Sequence, residues 1–354
     1  MKTSNISNLS VQNAMRLTIL QAQNELIDTQ KEVTTGQYAD IGAELGSRTT
    51  LSLDLSREST RLLSLIDTNG IATQRLESSQ AAMEQMSVSN QTIKEQLTLL
   101  QGSGDETTTN AAMQEIGNAL ATFTNAANTA VVGEYLFAGI NTDVRPLVDY
   151  QDTTTGLQAS FDTAFQTYFG FTQTDPATAT IAATGPSPSM DDFLTTVVEP
   201  MFDEPSWSTN WSNATDETMK TRISQTEVVQ TSATLNSDGM KKFMMSAVVA
   251  LELAPMNLSD ETRGVVIDTV TGYNNVALSG IDAERTQLGL SQERVKDASA
   301  SLEIQQDIME NSFNSMVEVD VYEASTKVNN LLSLVETSYT LTSKIQQLSL
   351  VNFL

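Results

Sequence analysis

The 354-residue chain contains neither cysteine nor histidine. Without thiols and imidazoles it cannot form disulfides, use a cysteine nucleophile or a histidine base, or bind zinc through the usual ligands. Aromatic residues make up only 6% of the chain, and 19 basic residues face 44 acidic ones, which gives a formal net charge of −25. Because this charge repels phosphate backbones and anionic lipid headgroups, we expect protein partners, with no nucleic acid and no membrane insertion.

Long hydrophobic runs are also absent. The longest nearly apolar stretch covers residues 247–254 and is interrupted by Glu252, so it is far too short to cross a bilayer. The first ten residues, MKTSNISNLS, lack the apolar centre of a cleavable secretory signal. We therefore expect no cleavable signal peptide and no membrane-spanning helix.

Composition divides the chain into three parts. Residues 134–219 hold six of the seven prolines, both tryptophans and 12 of the 20 aromatic residues, with 13 acids against the single base Arg145. Short apolar runs separated by proline, glycine and aspartate favour a compact insert that contains β-structure. The flanks are almost free of proline, as long helices require.

Apolar residues repeat every seven positions in the C-terminal flank, and they predict a coiled-coil-like helix. They are Ile281, Leu288, Val295, Leu302, Met309 and Met316. A second seam runs from Leu62 to Leu100 and places amides at Asn69, Gln80 and Asn90. The sequence Gly102-Ser103-Gly104-Asp105 predicts a break, after which Ile116 to Ala130 form a return helix.

Both chain ends carry a narrow apolar stripe at the same period. The stripes include Met15, Ile19, Ala22 and Leu26 near the start and Val321, Ala324, Val328, Leu331, Val335 and Ile345, joined by Leu334, Leu341 and Leu348, near the end. Such stripes usually form an intrachain core, yet terminal segments are normally dispensable. We expect the first helix to pack on the last, and the ends to pack on neighbouring subunits as well.

These patterns predict a mainly α fold, in which the N- and C-terminal helices form a long antiparallel coiled-coil rod that carries an inserted β-containing (α+β) domain. The predicted segments are 1–60 (N-terminal assembly helix and following loop), 61–133 (first half of the rod), 134–219 (insert), 220–316 (second half of the rod) and 317–354 (C-terminal assembly helix).

Catalytic motifs were sought without success. The chain has no G-x-S-x-G elbow, S-x-x-K pair, phosphate-binding loop or EF-hand loop. Carboxylate pairs occur at Asp191/Asp192, Asp203/Glu204 and Glu318/Asp320, but neighbouring carboxylates arise by chance among 44 acids. Trp207 and Trp211 can stack on a sugar or anchor the insert's own core, and the second role is favoured. We expect no enzyme activity, no cofactor and no metal.

Several local motifs resemble those of the bacterial flagellin family. Thr34-Thr35-Gly36 resembles the end of the family's first helix, although Gln37-Tyr38-Ala39-Asp40-Ile41 replaces the basic residue and aspartate pair often found next. The R-x-x-L-G-x-x-x-x-R element is matched by Arg285, Leu288, Gly289 and Arg294. The segment from Val319 to Ala324 is similar to the D-x-x-x-A element before the last helix.

Two further segments resemble the hook-associated branch of that family. Gly133 to Asp143 with Pro146 resembles its G-x-Y-L-F-A/S-G-x-x-T-D-x-x-P segment, and the ending Leu348 to Leu354 resembles its terminus. The likeness covers residues 1 to about 147 and 236–354 and leaves the insert unmatched. It implies a structural adaptor between the flagellar hook and filament, exported to the extracellular flagellum by the flagellar type III apparatus.

The resemblance also implies the partners. They are further copies of the chain in a ring, the adjacent hook-associated junction protein, flagellin subunits of the filament, and a cytoplasmic export chaperone that covers the C-terminal helix. The expected assembly residues are Ile6, Leu9, Met15, Ile19, Ala22, Leu26, Val328, Leu331, Val335, Ile345, Leu348, Phe353 and Leu354. The alternatives are a filament flagellin of the same family, or a ligand-binding module in the insert.

Overall fold

Long helices dominate the computed structural model, which describes residues 8–102 and 105–351; the side chains of residues 8, 9, 12 and 345–351 lie outside that description. The described helices are α1 (Asn8–Thr35), α2 (Ile41–Leu45), α3 (Thr49–Gly102), α4 (Glu106–Ala127), α5 (Leu157–Phe169), α6 (Met190–Phe193), α7 (Glu199–Phe202), α8 (Asp238–Leu253), α9 (Asp260–Val317) and α10 (Val321–Val351). The prediction of a mainly α fold is confirmed.

The β-structure is limited to two small antiparallel sheets in the described residues. One pairs β1 (Ala130–Val131) with β2 (Glu134–Tyr135), and the other pairs β3 (Lys220–Arg222) with β4 (Val228–Gln230). These sheets lie at the two margins of residues 134–219, whose interior consists mostly of short helices and turns. The prediction of a mainly α fold with a small β-containing insert is thus confirmed, with the β-structure confined to short strands.

The chain divides into two compact units, with boundaries after residues 64 and 301. We call residues 65–301 the central unit and the two flanking segments the terminal unit. Within the central unit, one hydrophobic cluster joins residues of α3, α4, α8 and α9 to residues of the insert. That the five predicted segments behave as separate domains stays a prediction.

The insert's aromatic residues anchor this cluster. Trp207 and Trp211 are buried with ring centroids 6.3 Å apart, and each indole N–H donates to a protein oxygen. The acceptors are Asn236 Oδ1 at 2.8 Å and the Met201 carbonyl at 2.9 Å. The tryptophans are thus buried within the chain, as expected, but the core that they anchor is shared with the long helices and does not belong to the insert alone.

The predicted heptad seam of α9 is buried at Ile281, Leu288 and Val295 in the central unit and at Leu302 in the terminal unit, whereas Met309 and Met316 are half-buried. Its polar positions carry paired amides. Asn274 Nδ2 donates to Asn90 Oδ1 at 2.7 Å, and Asn90 Nδ2 donates to the Asn274 carbonyl at 3.0 Å. This exchange between α3 and α9 forms only at one register, although the buried Asn274 Oδ1 has no hydrogen-bond partner among the described residues.

Candidate assembly surface

The carboxylate pairs have structural partners. Asp192 accepts a hydrogen bond from the Tyr168 hydroxyl, Glu204 accepts one from Ser208 Oγ at 2.6 Å, and Asp320 Oδ1 accepts from the Tyr322 N–H at the start of α10. Among the described residues, no three metal-binding side chains come together. Asp320 therefore acts as an N-cap rather than as part of an acid–base pair.

No helix in the described ranges is long and apolar enough to span a membrane.

The segments that resemble the family are fixed by specific contacts in the central unit. Arg285 forms an ion pair with Glu84, and Arg294 Nη2 lies 2.7 Å from Glu227 Oε1 between β3 and β4. Gly139 has a φ of 68°, and a Cβ there would lie 2.4 Å from the Thr215 carbonyl oxygen. Both motifs are thus explained by packing within the chain.

In the terminal unit, the end of α1 is joined to the link between α9 and α10. The Tyr38 N–H donates to the Val317 carbonyl at 3.0 Å, and the Val319 N–H donates to the Gly36 carbonyl at 2.9 Å. Gly36 ends α1 with a φ of 71°, a conformation that glycine adopts without strain. Two of the family-like motifs, far apart in sequence, therefore meet through backbone hydrogen bonds.

Helices α1 and α10 then pack antiparallel, which confirms the predicted pairing of the chain ends. Gln23 Nε2 donates to the Tyr339 hydroxyl at 2.8 Å, and Lys327 Nζ lies 2.8 Å from Glu25 Oε1. The hydrogen bond to Glu25 raises the pKa of the Lys327 ammonium. Because both members of this ion pair are about half exposed, it contributes little stability.

The structure places most predicted assembly residues in the seam between α1 and α10. Ala22 and Leu331 are buried, and five others are half-buried, namely Met15, Ile19, Leu26, Val328 and Val335. Ile6, Phe353 and Leu354, and the side chains of Leu9, Ile345 and Leu348, lie outside the described residues. That any of these residues contacts a neighbouring subunit stays a prediction.

A second set of apolar side chains, which the sequence did not single out as a surface, is exposed on α1 and α10. We call them the outer rows, and they comprise Leu17, Leu20, Ile27, Leu332, Leu334, Tyr339 and Leu341, each at least 40% exposed. Leu334 and Leu341 had been assigned to the seam stripe, as had Val321, which is also exposed. The sequence does contain a signal for these rows, because apolar residues recur seven positions apart. The pairs are Leu20 and Ile27, Leu332 and Tyr339, and Leu334 and Leu341.

Apolar residues are distributed unusually in the terminal unit. Among its described residues, fourteen large apolar side chains are exposed, whereas seven apolar residues are buried. The outer positions of a two-helix coiled coil are normally polar, because water covers them. This surface is therefore what one expects of helices that are covered by further helices.

Comparison with known proteins gives two family matches. Residues 6–142 match the bacterial flagellin N-terminal helical region, and residues 272–354 match the C-terminal helical region. Together they cover more than half of the chain. No curated protein matches it.

Solved structures with a similar fold also exist. One, from Vibrio parahaemolyticus, is provisionally described as a flagellar hook-associated protein. It aligns with 77% of this chain and 99% of its own, with a TM-score of 0.53 and 9% sequence identity. At that identity the likeness shows the fold alone.

Proposed function

The chain belongs to the bacterial flagellin family, whose members are structural proteins of the extracellular flagellum, and we propose that within this family it is the junction subunit between hook and filament. In this role it polymerises through α1 and α10 and performs no catalysis. The sequence resembles hook-associated protein 3 most closely at residues 133–146 and 348–354.

The main support for polymerisation through α1 and α10 is that the apolar side chains of the outer rows are exposed. Fully burying a Leu or Ile side chain stabilises a complex by about 1.5–3 kcal/mol. The six Leu and Ile side chains of the outer rows, together with Tyr339, therefore provide an ample driving force for docking against copies of the same helix pair. Large exposed apolar patches on soluble proteins commonly mark such contacts.

Export is a further part of the proposal. A chain without cysteine passes through a narrow channel without the risk of disulfide formation. A cytoplasmic chaperone would cover the apolar surface of α10, including Val328, Leu331 and Val335, before export. Outside the cell, the hook-side junction protein and the first flagellin subunits would cover the same helices.

A filament flagellin is the second candidate, because the paired terminal helices suit both roles. Copy number separates the two: a junction subunit forms one ring, whereas a flagellin extends along the whole filament. Immunogold labelling of detached flagella should give signal at a single point near the hook. Label along the entire filament would contradict the junction role and favour the flagellin.

Deletion provides an independent test. Cells that lack the protein should build hooks and release flagellin monomers into the medium, because the filament has no base on which to start. Filaments of normal length on such cells would eliminate the junction assignment. Re-expression of the full chain is the control that attributes the defect to this protein.

A further inference from the structure

Charge is unevenly distributed along the α1–α10 pair. We call residues 8–24 and 337–351 the tip half and residues 25–35 and 321–336 the base half. The tip half carries only Arg16 and Lys344, both positive, although the whole chain has a net charge of −25. The base half carries five acids and two lysines. The pair is therefore positive at one end and negative at the other.

Arg16 lies at a groove between the two helices. The groove has a volume of about 430 Å³ and is lined by Asn13, Arg16, Ile19, Leu20, Gln23, Tyr339 and Thr342. No acid stands three or four positions from Arg16 on α1, and the structure shows no ion pair for Arg16 among the described residues. The groove thus presents an exposed guanidinium beside apolar and amide side chains.

Glu336 is the complementary group on the base half. Its neighbours three and four positions away on α10 are Leu332, Ser333, Tyr339 and Thr340, none of which is charged. The side chain is exposed, and in the described structure no ion pair joins it to Arg16 or to another base. It lies between Leu332 and Tyr339 of the outer rows. The other base-half acids have nearby compensation, such as Lys327 for Glu25.

We propose that in the assembled flagellum the Arg16 groove of one copy receives the Glu336 carboxylate of the adjacent copy. This inference rests on the proposed function, because it names the contact that fixes how neighbouring pairs are staggered. Each charge is flanked by an outer-row residue, Leu20 beside Arg16 and Leu332 beside Glu336, so docking encloses the ion pair in apolar surface. An enclosed guanidinium–carboxylate pair specifies orientation more strongly than an exposed one.

A second copy of the chain fits the groove better than other occupants. Apolar docking alone is non-directional, so outer rows repeating every seven residues permit slippage by one heptad. A single charge pair removes that degeneracy, because any other offset leaves two charges buried without partners. The two charged residues of the tip half, Arg16 and Lys344, are both positive, so they attract the acidic base half of a second copy.

Charge exchange between two co-expressed chains tests the proposal. Arg16→Glu and Glu336→Arg are each expressed alone, and then together, in cells that lack the native protein, and incorporation into purified flagella is measured. Each variant alone should incorporate roughly tenfold less than the native chain, because like charges meet. Co-expression should restore incorporation, since alternating copies re-create the pair. Arg145→Glu, the same charge change in the insert, is the matched control.

Rescue on mixing requires a contact between copies, because an interaction within one chain cannot be repaired by another chain. A chain carrying both substitutions should also incorporate normally, and circular dichroism confirms that each variant folds. Normal incorporation of Arg16→Glu alone, or no rescue by co-expression, would overturn the inference while native incorporation still supports the junction role. Absence of the native chain from flagella would instead refute the proposed function.

Discussion

At the residue scale, the buried asparagines of the seam between α3 and α9 show what the sequence can and cannot predict. The heptad pattern located Asn90 at a core position, but it did not identify Asn274 as its partner. An amide in a core position is costly unless a second polar group faces it, and only the three-dimensional register supplies that group. Sequence thus gives the position of such a residue and leaves its role undecided.

Asn90→Leu should destabilise the central unit by about 1–3 kcal/mol, because the buried Asn274 amide loses its side-chain acceptor and keeps only the Asn90 backbone carbonyl. The double variant Asn90→Leu/Asn274→Leu should recover much of that loss, since both polar groups are removed together. Urea denaturation of the four chains in a double-mutant cycle measures the coupling. Additive effects of the two single changes would show that the amides are independent.

Buried acids make the stability of the central unit depend on pH. Burial raises the pKa of Glu284 and of Glu252 above the ordinary value of 4.5. A carboxyl whose pKa is raised by folding favours the folded state at low pH and loses that contribution as the pH rises through the raised pKa. The central unit should therefore melt at a higher temperature near pH 5 than near pH 8.

Glu284→Gln isolates one such group. Glu284 Oε2 is buried without a hydrogen-bond partner in the described structure, so the uncharged amide should raise the melting temperature at pH 8. The gain should shrink as the pH falls through the raised pKa of Glu284, because the native carboxyl then becomes protonated itself. Glu261→Gln, on an exposed turn of the same helix, serves as the control. A gain that is independent of pH would contradict the explanation.

At the scale of whole elements, the regularity of the apolar pattern determines which helices the sequence predicts. The long helices follow from proline-poor, periodic sequence, and α3 ends at Gly102, where the sequence predicts a break. The short elements of residues 134–219 carry too little periodicity to be recognised, because tertiary burial rather than local propensity holds them. Phe161, Phe193 and Trp207, for example, all join the common cluster.

Close approach of α8 and α9 depends on two glycines. A Cβ on Gly280 would lie 2.6 Å from the Gly239 Cα, so Gly280→Ala should push the helices apart and lower stability despite the better helix propensity of alanine. Gly272→Ala in the same helix meets nothing within 4 Å and should stabilise by roughly 0.5–1 kcal/mol. Thermal denaturation should give opposite signs; two changes of equal sign would refute the contact argument.

Two adjacent leucines of α10 have different expected roles, one in the pairing of α1 with α10 within the chain and the other in assembly between chains. Leu331 is 8% exposed in the seam, whereas Leu332 is 40% exposed in the outer rows. Leu331→Ala should loosen the α1–α10 pair by about 2 kcal/mol, as for other buried leucines. Leu332→Ala should leave the monomer's helix content unchanged and reduce incorporation into flagella.

Circular dichroism of the monomer and incorporation into purified flagella are the two measurements for this comparison. The seam stripe was predicted from sequence because its period is regular, but the same period fits the outer rows equally well. Which apolar face meets the chain's own second helix is decided by packing that sequence alone does not show. Indistinguishable behaviour of the two variants would remove the distinction between seam and outer rows.

At the scale of the whole molecule, the two units differ in how completely they bury their apolar residues. The central unit holds the large hydrophobic cluster, whereas the described terminal unit exposes more large apolar side chains than it buries. A unit with so few buried contacts should open locally at low free-energy cost. Assembly then supplies the missing contacts, which is the central claim about this protein.

Hydrogen exchange of α1 and α10, compared between the purified monomer and detached flagella, tests that claim most directly. The amides of both helices should exchange quickly in the monomer and at least roughly tenfold more slowly in flagella, a ratio that corresponds to about 1.4 kcal/mol of added protection. Amides of α8, in the core of the central unit, should be protected in both samples. Terminal helices as protected in the monomer as in flagella would contradict the account.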